Sequence, residues 1–465
     1  MSALQVGILA LIAMLVNRLP RGRSLGLLVV STLTLFWLQP YQEPVNWMFW
    51  LPLWMLVLVA LCWLITSTPE VRGWRENAGA LAVLIGVPVL VTFNRYMQVE
   101  VLFPVDIPRP QVALVVLLVA LTAGVVLVQA HHFFSGMLVL AMLGLVAVLA
   151  VLKTPSGWGM LFGAVAGWAG REAAGPSTIT WLGFSYVAFR LLHTLLDKRA
   201  GRLTSVSLGE YVNYVIFFPT LTAGPIDRIE RFTHDLRLPL ALEASTWLMA
   251  GTRLFRGLVK KFVIADGLAW FALSDLLAGD VQSRVWLWVL LYAYSLRIYF
   301  DFSGYTDIAI GLGLLLGIRL PENFDAPYLK PNLTQFWNAW HMTLTQWFRA
   351  YFFNPLTRAL RSAQRPLPQW LMILLAQSAT MLLIGLWHGV TWNFLAWGGW
   401  HALGLFVHNR WSDWAKTRAL NWNTTLANYL GVLLTFHYVT LGWLFFFLPD
   451  PATAWSVLLR LLGAA

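Results

Sequence analysis

Met381-Leu-Leu-Ile-Gly-Leu-Trp-His-Gly-Val-Thr-Trp-Asn-Phe-Leu-Ala-Trp397 sets one ionisable side chain, His388, in an otherwise uncharged and mostly apolar run. The run is close to the ~20 apolar residues that a helix needs to cross hydrocarbon. An ionisable group at such depth is costly, so by default it raises a functional hypothesis. Two more histidines share this texture. His341 lies in Phe336-Trp-Asn-Ala-Trp-His-Met-Thr-Leu-Thr-Gln-Trp-Phe-Arg349, and His401 in Gly398-Gly-Trp-His-Ala402. Residues 300–401 therefore organise the reading of the chain.

Composition agrees. Of 465 residues, 58% are hydrophobic and 11% charged, the latter about half the roughly 25% usual in soluble domains. Many apolar runs near or above ~18 residues define an all-α polytopic membrane protein. A net charge of +11 would point to nucleic acid in a soluble protein. Here Lys and Arg fall in short loops, where they set orientation and meet anionic lipid, so membrane lipid is the expected partner and nucleic acid is not. The single cysteine, Cys62, excludes an intramolecular disulfide and a cysteine metal cluster.

Residues 3–17 are apolar and are followed by Arg18, Arg21 and Arg23. They read as an uncleaved first helix with its N-terminus extracytoplasmic and the basic loop inside. Further spans are expected near 24–39, 47–67, 79–93, 111–130 and 135–152, with His131 and His132 interfacial at a span end. Residues 1–157 form an N-terminal scaffold of membrane helices in this reading, and 158–465 the functional core of the same membrane domain. Within the core, Pro219-Thr-Leu-Thr-Ala-Gly-Pro225 breaks an apolar run. Non-helical backbone at membrane depth needs protein or a water-filled cavity around it, so a re-entrant or interfacial turn near a cavity is expected. Later spans are placed at 285–300, 303–318, 370–387, 390–408 and 426–447, before a short amphipathic tail. The total is about 11–13 transmembrane and re-entrant elements.

Asp301 and Asp307 lie in Tyr299-Phe-Asp-Phe-Ser-Gly-Tyr-Thr-Asp-Ile-Ala-Ile-Gly311. They either hold basic groups that line a cavity or pair with an arginine such as Arg297, and structural support is the expected role. Ser303-Gly304 is a possible kink. Asn332 or Thr334 can cap a helix on which Trp337, His341, Leu344 and Phe348 share one face, with Arg349 beside the stripe. Such a stripe is in itself an ordinary packed helix. Around His388, Gly385, Gly389, Gly398 and Gly399 allow close backbone approach, and Thr391 and Asn393 offer neutral hydrogen-bonding groups. A neutral imidazole can take a proton from a hydroxyl near pH 7; the bland alternative is a buried histidine bonded to a carbonyl. No Ser, Cys or acid forms a recognised triad with His388, which favours direct transfer over a covalent intermediate. Separations of 47 and 13 residues between the histidines match no short helical ligand spacing, so no metal is expected.

With these residues in view, the chain resembles the membrane-bound O-acyltransferase family, in particular its bacterial branch of alginate O-acetylation proteins and the D-alanyl transfer proteins of teichoic acid modification. The resemblance rests on ordered stretches: Trp181-Leu-Gly-Phe-Ser-Tyr-Val-Ala-Phe189, Phe217-Phe-Pro-Thr-Leu-Thr-Ala-Gly-Pro-Ile226, Gly257-Leu-Val-Lys-Lys-Phe-Val-Ile-Ala-Asp266, Tyr299–Gly311, Pro321-Glu-Asn-Phe324, Phe336–Phe348 and Gly385–Asn393. It implies a bundle around a central funnel or tunnel, in the bacterial cytoplasmic (inner) membrane. It also implies His388 as general base and His341 as its catalytic partner, with Trp337, Arg349, Trp387, Asn393 and His401 as tunnel or substrate-binding positions. No bound cofactor is implied. The donor would be a co-substrate such as acyl-CoA or an acyl-carrier thioester, and the acyl group acetyl. The acceptor would be a hydroxyl of a polysaccharide or envelope polymer, or a relay protein. An extracytoplasmic acyl-transfer protein and a cytoplasmic carrier protein are the implied partners. The family's terminal Trp-x-Phe-Phe-Arg reads Trp443-Leu-Phe-Phe-Phe447 here, without the Arg. A lipid or polysaccharide transporter, or a secretion-complex scaffold, is the alternative without acyl chemistry.

Overall fold

The computed structural model describes all residues except 20–21, 41–46, 100–106, 130–135, 162–179, 240–242, 364–366, 419–423 and 465. His131 and His132 lie outside the described residues. Helices account for the regular structure, and no strand occurs among the described residues. In chain order we label α1 (Ala3–Asn17), α2 (Arg23–Trp37), α3 (Trp47–Thr66), α4 (Trp74–Thr92), α5 (Pro110–Gln129), α6 (Met137–Lys153), α7 (Phe184–Arg199), α8 (Leu208–Val215), α9 (Ile229–Arg237), α10 (Ala244–Leu258), α11 (Arg284–Leu315), α12 (Leu333–Trp337), α13 (Met342–Phe348), α14 (Asn354–Arg361), α15 (Gln369–His388), α16 (Trp392–Thr417), α17 (Thr424–Gly442) and α18 (Pro451–Leu462). Among the described residues, four apolar stretches are long enough to cross a membrane: Trp47–Thr66, Trp74–Met97, Gln369–His388 and Thr424–Phe447. α1, α2, α6, α18 and residues Pro110–Val126 of α5 are shorter apolar helices.

Two compact units divide the chain. The first comprises Met1–Leu152, Ser156–Phe255 and Asp307–Pro321. Two of its buried arginines are tied to backbone carbonyls. Arg190, 1% exposed, donates to the carbonyls of Val215 (2.7 Å) and Thr220 (3.0 Å) and to the Thr220 hydroxyl. That one guanidinium fastens the Pro219–Pro225 break, which is a buried 3₁₀ turn at Phe218–Thr220 leading into non-helical chain. Arg23, which the sequence places in a basic cytoplasmic loop, is buried and donates to the carbonyls of Asp235 and Leu238.

The second unit comprises Lys153–Pro155, Arg256–Thr306 and Glu322–Ala465. Its centre is the antiparallel pair α15–α16, joined by the turn at Gly389–Thr391, where the Thr391 hydroxyl caps α16. A Cβ on Gly385 would collide with the Phe394 carbonyl, and one on Gly398 would lie 2.6 Å from the Met381 carbonyl oxygen. These two glycines let the helices meet at backbone distance; Gly399 faces no neighbour. α17 is stitched to α16 by a reciprocal pair of bonds: Trp400 Nε1 donates to the Tyr438 carbonyl (3.0 Å) and the Tyr438 hydroxyl to the Trp400 carbonyl (2.5 Å).

Two expectations for residues 285–348 fail. The spans placed at 285–300 and 303–318 are one continuous helix, α11, of 32 residues. Ser303-Gly304 does not interrupt it. A Cβ on Gly304 would lie 2.8 Å from the Lys261 backbone nitrogen, so the glycine serves close packing against residues 257–261. The single helix expected to carry Trp337 through Phe348 is two helices, α12 and α13, broken at His341. Asn332 caps α12 as expected, its side chain accepting from the Gln335 N–H at 2.9 Å.

Candidate active site

His341 adopts φ 43° and ψ 51°, a left-handed conformation that is uncommon for a residue with a β-carbon. Such conformations cost roughly 1–3 kcal/mol and persist where surrounding bonds impose them. Here the imposing residue is Asn323. Its carbonyl accepts from the Met342 N–H (2.9 Å), and its side-chain Oδ1 accepts from the Thr343 N–H (3.2 Å) and hydroxyl (2.9 Å). One residue pair further on, Asp325 N–H donates to the Ala339 carbonyl at 3.0 Å. The loop 323–325 thus zips along the helix break and turns the His341 ring inward.

This arrangement also fixes the tautomer. Asn323 Oδ1 must be the acceptor, because a backbone N–H points at it. The His341 Nδ1, 3.2 Å from the same oxygen, therefore carries the proton. The opposite nitrogen, Nε2, is buried without a hydrogen-bond partner among the described residues. It presents a lone pair.

A cavity of about 40 Å³ lies beside it, lined by Ile298, Phe302, Trp337, Trp340, His341, Leu344, Ile384, His388, Trp397, Trp443 and Phe446. Every lining group is neutral or an imidazole. Phe302 meets the His341 ring edge to face at 4.7 Å, and Phe446 and Trp397 meet the His388 ring at 4.8 and 5.4 Å. Aromatic rings rather than hydrogen bonds hold His388, which is the last residue of α15. A second cavity of about 120 Å³ shares the walls Trp337 and Ile384 with the first and adds Thr334, Thr345, Arg349, Phe353, Gln377, Thr380, Met381 and Leu405. Arg349 opens a short π-helical turn, Arg349–Phe353, and donates to Asn338 Oδ1 at 2.6 Å.

The residues singled out from sequence divide accordingly. His388, His341 and Trp337 share the first cavity, and Arg349 lines the second. Trp387 packs edge to face against both histidines, 6.2 Å from His341 and 4.6 Å from His388, without lining either space. Asn393 lines neither cavity; it donates to the Leu448 carbonyl and anchors the end of the chain segment bearing Phe446. His401 is fully buried against Trp337 (5.1 Å) and Trp397 (4.9 Å), outside the lining. Asp301 pairs with Lys261, not Arg297, at 2.5 Å, and Asp307 with Arg253 at 2.6 Å. The position of the absent family arginine, Phe447, stacks on Tyr294 at 4.1 Å.

The sequence reading overlooked Asn323, Phe446 and Lys153. Asn323 stood in plain view within Pro321-Glu-Asn-Phe324, but its link to His341 spans 18 residues and belongs to no periodic pattern. It also overlooked a polar group in the first unit. His193, Asp197 and Glu230 bring three possible ligand atoms within 4.8 Å of one another. Asp197 is already paired with Arg202 at 2.7 Å, so the group reads as an ion-pair network.

Residues 118–449 match the membrane-bound O-acyltransferase family. The chain belongs to this family. The assignment makes it an acyltransferase of the membrane and sets aside the transporter and scaffold readings. Among curated relatives, the chain is 33% identical over 294 residues to a teichoic acid D-alanyltransferase of Streptococcus thermophilus, covering 59% of this chain and 70% of that protein. It is 34% identical over 289 residues to a probable alginate O-acetylase of Azotobacter vinelandii, covering 59% of this chain and 52% of the relative. It is 33% identical over 261 residues to a peptidoglycan O-acetyltransferase of Helicobacter pylori, covering 55% and 46%. The chain thus spans about half the length of the two O-acetylating relatives.

Proposed function

We propose that this acyltransferase moves an acetyl group from a thioester on the cytoplasmic side to a hydroxyl on the outer side of the cytoplasmic membrane. The hydroxyl belongs to an envelope polysaccharide or to a relay protein that passes the group on. His388 acts as general base: it takes the hydroxyl proton while the oxygen attacks the acyl carbonyl, and the proton leaves with the departing thiolate. His341 orients the attacking group. Its Nδ1–H is committed to Asn323, so its inward Nε2 can accept a hydrogen bond from the hydroxyl. In this tautomer Nε2 accepts and does not donate, which supports orientation of the hydroxyl over stabilisation of an oxyanion. The observation that carries the proposal is this pairing of two imidazoles in one small, uncharged cavity.

Acetyl is favoured over D-alanyl by the same lining. A D-alanyl group carries an ammonium, which needs a carboxylate when it leaves water. The first cavity offers none, and its roughly 40 Å³ suits a small acyl group. A donor such as acetyl-CoA or an acetylated carrier protein would approach through the second cavity, where Arg349 stands as a fixed cation.

A second reading has one specific observation behind it: His341, not His388, has the orienting partner that general bases commonly have. Polymer-bound acetate, measured by mass spectrometry of envelopes from cells producing each variant, separates the two. His388→Ala is expected to abolish acetylation, leaving below ~1% of wild type, at normal protein levels. Wild-type acetylation by that variant would overturn the assignment of the base.

A further inference from the structure

We infer that Lys153 is an anion-recognition residue at the mouth of this site, so that the acceptor it selects is acidic. Lys153 ends α6, and its carbonyl accepts the Val390 N–H at 2.8 Å. That bond fixes the end of α6 two residues past His388. The Lys153 ammonium lies 5.7 Å over the Trp387 ring, the same ring that packs against His341 and His388.

Its surroundings set it apart from other cations of the bundle. Lys261 holds Asp301, Arg253 holds Asp307, and Arg190 has backbone carbonyls. Lys153 has no carboxylate and no hydrogen-bond acceptor for its ammonium among the described residues, only the face of Trp387. A half-buried ammonium beside apolar helices is costly to keep without a counter-charge. A cation–π contact of about 0.5–2 kcal/mol offsets only part of that. A ligand that brings its own negative charge supplies the remainder.

Position says which ligand. α15 begins after the basic helix α14, which carries Arg358 and Arg361, and it ends at His388. The excess of basic residues puts that start on the cytoplasmic side. The His388 and Lys153 end then faces outward, where the acceptor arrives, whereas Arg349 stands on the donor's side. An acceptor with a carboxylate or phosphate near its reacting hydroxyl could place that anion on Lys153 while the hydroxyl enters toward His388. The inference rests on the transfer reading only for calling the anion part of an acceptor.

The test is binding and turnover with the full chain in lipid nanodiscs. The probes are a hexauronate, the same oligosaccharide with its carboxyls reduced to alcohols, and a glycerol-phosphate hexamer. Wild type is expected to bind one or both anionic probes ~10-fold or more tighter than the reduced one, a hydrogen-bonded charge pair being sufficient for that. Lys153→Met should lose the preference without changing binding of the reduced probe, and Lys153→Arg should restore it. The stronger of the two anions names carboxylate or phosphate as the partner. Equal affinity of wild type for all three probes would overturn the inference, as would an equal loss on all three in Lys153→Met. Binding needs no chemistry. Failure of wild type to transfer acetyl from acetyl-CoA to any probe or relay therefore counts against the proposed function and leaves the binding result to decide Lys153.

Discussion

At the scale of single residues, the site depends on an amide that does no chemistry. Asn323 accepts three hydrogen bonds on one oxygen and thereby sets both the left-handed backbone and the ring tautomer of His341. Asn323→Ala removes that acceptor and leaves the His341 ring free to rotate. Loss of orientation at a reacting centre can cost up to ~100-fold in rate. Turnover of Asn323→Ala should fall toward that of His341→Ala, and the double variant should be no worse than the single ones. A rate unchanged by Asn323→Ala would show that the orientation of His341 does not matter to the reaction.

At the scale of elements, the sequence was most legible where the helices are uniformly apolar. α1 to α6 lie within a few residues of the spans read from hydropathy, because that signal depends only on the chain crossing hydrocarbon. It was least legible at Ser303-Gly304 and at His341. A glycine in a helix reads the same whether it bends the axis or admits a neighbour, and only the 2.8 Å approach to Lys261 reveals that a neighbour is admitted here. The α12–α13 break could not be read from periodicity, because Trp337, His341 and Leu344 reach the same cavity from two helices as they would have from one. The glycine contact between α15 and α16 was legible, and it carries a prediction. Gly385→Val drives a side chain into the Phe394 carbonyl, and overpacking of this kind costs about 1–3 kcal/mol. The melting temperature in detergent should drop and acyl transfer should fall with it. Gly399→Val, facing open space, should leave both near wild type.

At the scale of the molecule, the two units differ in what secures them. The first relies on charge at its polar edge: Arg237 holds Glu210 through two bonds of 2.6 and 2.9 Å, and Arg319 holds Asp235 at 3.1 Å. Burial alone would raise both carboxyls, but the bonds to Glu210 from Arg237 and Ser207, and to Asp235 from Arg319 and His234, outweigh it and hold both below their ordinary range. A carboxyl whose folded pKa is depressed stabilises above its unfolded value, near 4, and loses that contribution as pH falls through the folded value. Thermal stability should therefore be flat from about pH 7 to 5 and fall below about 4. Glu210→Gln should shrink that acid loss; an identical pH profile would remove Glu210 from the account.

The second unit relies on rings, and its aromatic wall has a consequence for the fate of the acyl group. A thioester is at risk from water as well as from an alcohol, and a base that can activate one can activate the other. Phe302, Trp340, Trp397, Trp443 and Phe446 leave about 40 Å³ around the two histidines, a space whose polar groups are imidazole and indole nitrogens. In the proposed mechanism, an acceptor that fills that space displaces solvent and becomes the group that His388 deprotonates. On that mechanism the wall would couple consumption of the donor to arrival of the acceptor, and would guard an expensive reagent against futile hydrolysis.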